Sequence, residues 1–91
     1  MDPKILFDCR PEECFWTCNG RVLRNVYELV SYVKTSDDYS FKYHKNNEKD
    51  DFGKWIRDVF DDYILSDRLN NVFDKLRYAD IIEQRVKELE D

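Results

Sequence analysis

From Phe52 onward the apolar residues of this chain fall at positions 52, 55, 56, 59, 60 and 63, the spacing of one continuous face of an α-helix. That face carries Phe52, Trp55, Phe60 and Tyr63. It is too much aromatic area to leave in water, so a central helix with other elements folded against it is required. Just upstream, Phe41 and His44 lie three residues apart, as on a shorter helix leading into the polar loop Asn46 to Asp50. Phe41, His44, Asp51, Phe52 and Trp55 are therefore expected to form one structural cluster. Asp51 is its expected helix N-cap.

With 91 residues the chain has room for one core, so residues 1–91 are read as a single compact domain. Charged residues make up 38% and glycines number two, a composition that favours helices. No run approaches the roughly 20 apolar residues of a membrane span, and Ile5-Leu6-Phe7 is too short for the apolar part of a signal peptide. A cytoplasmic protein is the expectation.

Along the chain, Lys4 to Asp8 alternates like a strand, bracketed by Pro3 and Pro11, and residues 1–13 are expected as an arm over the core or a third, edge strand. Residues 14–24 read as a β-hairpin. Cys14 to Cys18 and Arg21 to Leu23 are its strands, and Asn19-Gly20 is its two-residue type I′ turn. Alternation puts Phe15 and Thr17 on one face and Cys14, Trp16 and Cys18 on the other. Residues 25–91 read as helical. Asn25 and Glu28 open a first helix ending near Thr35, and Ser36 or Asp37 caps a second running to about Lys45. Asp61 or Asp62 begins a fourth helix with Leu65, Leu69, Val72 and Phe73 inward. After a break near Asp74 a last helix presents Tyr78, Ile81, Ile82, Val86 and Leu89. The fold class is thus α+β, mostly α: a hairpin packed on four to five short helices.

Several of these residues fall in a familiar order. Pro11-Glu12-Glu13, an aromatic strand ending at Asn19-Gly20, and Leu29 come first. Phe41-Lys42-Tyr43-His44, Asp51-Phe52, Trp55-Ile56-Arg57-Asp58-Val59 and Asp62 with Leu65 follow. Over roughly residues 11–70 the chain resembles a family of small, mostly archaeal proteins classed as a domain of unknown function. That family carries a Phe-x-x-His … Asp-Phe-x-x-Trp-Ile motif. Ser66 stands where the family often has alanine. The resemblance implies a fold; the family has no settled activity to pass on.

The chemistry is sparse. His44 alone titrates near neutral pH without perturbation, and no glycine-rich elbow, phosphate loop or repeated metal-ligand motif accompanies it. An enzyme would pair His44 with Asp50 or Asp51 and recruit Cys14 or Cys18. The expectation is instead no catalysis, with His44 satisfied at a helix junction. Cys9, Cys14 and Cys18 form a C-x4-C-x3-C spacing unlike a zinc knuckle. A Cys3His site completed by His44 is the alternative to free thiols. Free thiols, with no metal and no cofactor, are expected.

The net charge of −5 argues against nucleic acid as a partner. Lys42, Lys45, Lys49, Lys54 and Arg57 gather near the loop, but acidic residues interleave with them. Trp16 is either core or an exposed anchor, and alternation alone leaves this open. The functional expectation is a non-catalytic protein-interaction or regulatory module, binding another protein or itself. Its alternative is a small-ligand or nucleic-acid-binding module using the Lys/His cluster of residues 42–57. The candidate binding residues are Trp16, Lys42, His44, Lys45 and Arg57.

Overall fold

Five helices each begin where an Asn or Asp side chain takes the first free backbone N–H groups, and this punctuation sets the architecture. The computed structural model describes residues 3–90. Two short 3-10 turns, Lys4–Leu6 and Pro11–Glu13, precede a hairpin of β1 (Phe15–Trp16) and β2 (Val22–Leu23). Then come α1 (Val26–Thr35), α2 (Asp38–His44), α3 (Asp51–Phe60), α4 (Tyr63–Leu69) and α5 (Lys75–Glu90). The fold is α+β and mostly α.

The caps are Asn25 for α1, Asp37 for α2, Asp50 for α3 and Asp62 for α4. Asp74 does the same for α5, its Oδ2 accepting from the Arg77 N–H at 2.9 Å. The cap of α3 falls one residue earlier than the sequence suggests. Asp50 Oδ1 accepts from the Gly53 N–H at 2.9 Å, while Asp51 is the first helical residue. Gly53 permits this, because a Cβ there would stand 2.6 Å from Asp50 Oδ2. Helix α3 also stops sooner than its apolar period. Asp61 adopts a left-handed conformation (φ 58°), and the Asp61 and Asp62 N–H groups fold back to the Arg57 and Ile56 carbonyls. Tyr63 therefore leaves the apolar face and is exposed on α4. Likewise α4 ends at Leu69, so Val72 and Phe73 follow the helix instead of lining it.

The hairpin turn is a three-residue loop, not a type I′ pair. Thr17 N–H donates to the Arg21 carbonyl at 2.8 Å and Gly20 N–H to the Thr17 carbonyl at 3.1 Å. Gly20 takes positive φ (84°) whereas Asn19 does not. The register pairs Phe15 with Leu23 and Trp16 with Val22, and the sheet of the described residues has these two strands and no third. The N-terminal arm is a pair of turns, because Pro3 and Pro11 set each one up. Ile5 plugs it into the core at 1% exposure, and the Cys9 N–H reaches the Arg24 carbonyl at 2.8 Å.

Helix α1 packs along α5, α3 lies on α4, and the arm closes over α3 and α5. One core results, with Leu29, Val33, Phe52, Ile56, Leu65 and Ile82 among its fully buried side chains.

Candidate functional site

The last turn of α2 brings His44 under the hairpin and beside the start of α3. The ring is 4% exposed. Its Nε2 accepts a hydrogen bond from the Cys18 backbone N–H at 3.0 Å, and Nδ1 lies 2.9 Å from Asp51 Oδ2. Because Nε2 accepts from an amide, the ring proton sits on Nδ1 and is donated to the carboxylate. Both nitrogens are committed. Burial alone pushes the Asp51 carboxyl up, but hydrogen bonds from His44 and Lys49 outweigh it and leave it below the usual carboxylate range.

Around this pair the expected cluster assembles. Phe52 lies 5.1 Å from the His44 ring and 6.2 Å from Phe41, centroid to centroid. Trp55 donates its indole N–H to the Glu13 carbonyl at 2.7 Å. Two residues outside the expected set complete the joint. Phe15 is its hub, 5.0 Å from His44, 5.1 Å from Phe52 and 5.6 Å from Trp55. Strand alternation had set Phe15 opposite Trp16 without saying which face turns inward. Tyr78 closes the far side, 5.4 Å from Phe41, and donates its hydroxyl to Asp50 Oδ1 at 2.7 Å. Burial first, then the neighbouring Asp50 charge, holds the Tyr78 phenol well above its ordinary value.

The fold brings four of the five expected cations, Lys45, Lys49, Lys54 and Arg57, to one polar hollow, with Lys42 outside its lining. Lys45, placed by its sequence neighbours among surface cations, is 3% exposed. Its ammonium donates to the Asn70 carbonyl at 2.7 Å, sits 3.3 Å from Asp50 Oδ2 and lies over the Phe73 ring. A short polar linker after α4 makes this anchoring, and nothing in the local pattern around Lys45 announces it. Lys49 pairs with Asp51 at 3.0 Å, and Arg57 with Asp58 at 3.2 Å. Lys42 and Lys54 are exposed and have no ion-pair partner among the described residues. That hollow, of about 550 Å³ beside the loop, also has Asp50 and Asp51 in its lining, so its cations are interleaved with carboxylates.

Trp16 stands apart from all of this. It is 70% exposed. Thr17 and Arg21 form a hydrogen-bonded pair, so the neighbouring Trp16–Val22 pair is a non-bonded one. The Trp16 N–H and C=O consequently point away from β2, to the free edge of β1. Beside that edge runs a groove of about 410 Å³ lined by buried His44 and Trp55, half-buried Phe15 and Val59, and exposed Lys54 and Asp58.

Chemically the arrangement can pack and can dock. Among the described residues no buried side-chain nitrogen or oxygen lacks a hydrogen-bond partner, and no three His, Cys, Asp or Glu side chains stand close enough to hold a metal ion. A Cys3His site would have to break the Cys18 or the Asp51 bond to free a His44 nitrogen. The three cysteines are free thiols. No described helix is long and apolar enough to cross a membrane. No family model, curated protein or solved structure matches the chain.

Proposed function

We propose that this chain is a non-catalytic protein-interaction module of the cytoplasm that engages a partner polypeptide, or a second copy of itself, through Trp16 and the free edge of β1. The observation that carries this reading is the 70% exposure of a tryptophan on an open strand edge. Leaving such a ring in water forgoes a large burial energy, and tryptophan is enriched among the residues that dominate interfaces. An open edge supplies main-chain hydrogen bonds to an added strand, and the adjacent groove gives that strand's side chains somewhere to lie. His44 contributes by holding the hairpin in place, with no chemistry of its own.

The resemblance to small archaeal proteins of unknown function fits this division. Its motif residues Phe41, His44, Asp51, Phe52 and Trp55 all fall in the joint around His44, so the resemblance bears on fold more than on activity. The ligand or nucleic-acid reading is weaker, since Lys45 is buried and Arg57 is paired with Asp58.

Capture experiments with wild-type and Trp16→Ala baits, preceded by size exclusion with light scattering, test the proposal. A partner or self-association weakened more than about 30-fold by Trp16→Ala, the effect of losing about 2 kcal/mol, is the expected result. The variant should melt with the wild type, within about 0.5 kcal/mol, as surface substitutions do. Retention of every binder by both baits would overturn the assignment.

A further inference from the structure

Outside the joint, two cysteines meet. Cys9 closes the arm and Cys14 leads into β1, and their sulfur atoms face each other at 3.8 Å across the Pro11–Glu13 turn. Each is fixed from a different direction. Cys9 is tied to the residue after β2 by its N–H on the Arg24 carbonyl at 2.8 Å, and packs against the core. Cys14 Sγ is directed to the Arg10 carbonyl at 3.7 Å. Closing from 3.8 Å to a bond of about 2.05 Å is within reach of side-chain rotation. Cys18 lies beyond β1 in the hairpin turn, its N–H held by His44 Nε2, and its sulfur makes no hydrogen bond to Cys9 or Cys14 among the described residues.

We propose that Cys9 and Cys14 are a modification site: a thiol pair that closes into an intrachain disulfide by exchange with a low-molecular-weight disulfide. The order of attack follows from the surroundings. Burial, reinforced by the hydrogen bond to Cys14, pushes the Cys9 thiol up to about 11, so Cys9 stays protonated at neutral pH. Cys14 lines the open groove beside Trp16, where a small disulfide can reach it. Cys14 gives its thiol proton to solvent and its Sγ attacks one sulfur of the small disulfide; that S–S bond breaks and the first small thiolate leaves, taking up a proton. Cys9 then loses its proton to solvent and attacks Cys14 Sγ, and the second thiolate leaves. Two protein thiols are oxidised to one disulfide while one small disulfide is reduced to two thiols. The new bond fastens the arm to β1 across the turn whose Glu13 carbonyl holds Trp55.

This inference is independent of any partner at Trp16. Incubating the folded full-length chain with oxidised glutathione, then alkylating and digesting, tests it. Cleavage after Glu12 or Glu13 separates Cys9 from Cys14, so fragments that remain joined, and lighter by about 2 Da for the two lost hydrogens, report the bond. The expected result is a Cys9–Cys14 product that forms at least tenfold faster in the folded chain than in urea. Cys18→Ser leaves it unchanged, and Cys9→Ser arrests at a glutathione adduct on Cys14. A dominant bond through Cys18, a lasting adduct on wild-type Cys14, or equal rates folded and unfolded would overturn the proposal.

Discussion

His44 joins three pieces of chain at one ring: the Cys18 amide from the hairpin turn, the Asp51 carboxylate from α3, and its own helix α2. Removing the ring leaves the part-buried Cys18 amide without its acceptor and the Asp51 carboxylate with Lys49 alone, so His44→Ala is expected to destabilise the chain by about 1–3 kcal/mol. Urea unfolding reads this as a lower midpoint at unchanged slope, and an unaltered midpoint would contradict the joint. Asp51 adds a pH dependence. Its folded carboxyl lies below its ordinary value, so the stability it contributes is present above that ordinary value and is lost as pH falls through the folded one. Asp51→Asn should therefore flatten the acid limb of a stability–pH curve below about pH 4 and leave its neutral limb parallel. The spacing of Phe41 and His44 is legible in the sequence, because three residues on a helix share a face. The choice between Asp50 and Asp51 as cap is not. Both are competent caps, and distant partners decide: Tyr78 and Lys45 claim Asp50, and His44 claims Asp51.

Between elements, the decisive contacts reach from one helix to the cap of another. Arg85 on α5 holds the Asp62 carboxylate that caps α4, at 3.0 Å and 3.2 Å, with side chains 15% and 5% exposed. The hydrogen bond to Asp62 holds the Arg85 guanidinium above its ordinary value. Arg85→Ala strands a buried charge, and the expected cost is about 3 kcal/mol, the low end for a broken buried pair. Chemical denaturation checks it; a loss under 1 kcal/mol, typical of surface pairs, would show that the contact is solvated. The helices are legible because each carries its own period and a polar cap. Their ends and the arm are less so. The apolar period running on to Tyr63 hides the left-handed Asp61, and the alternation of residues 4–8 imitates a strand although no neighbouring strand offers it a ladder. The Asn19-Gly20 signal marks the hairpin's place, but the Thr17 hydroxyl, accepting from the Arg21 N–H at 2.8 Å, accommodates a loop one residue longer.

For the whole molecule, the account divides the surface from the joint. The hairpin is locked by one face, through Phe15 and the Cys18 amide, and leaves the other, with Trp16, exposed at the surface where a partner is proposed to dock. That division was half visible beforehand: alternation separated Phe15 from Trp16, and the aromatic residues of the helices decided which of them the core would take. Native-state hydrogen exchange on the unmodified chain tests it at two positions separated by one residue. The Cys18 amide lies in an exposed turn, yet it is expected to exchange slowly because His44 Nε2 accepts it. The Trp16 amide, at the free edge of β1, is expected to exchange at close to the unstructured rate. Rapid exchange at Cys18, or strong protection of Trp16 in the isolated monomer, would contradict the account.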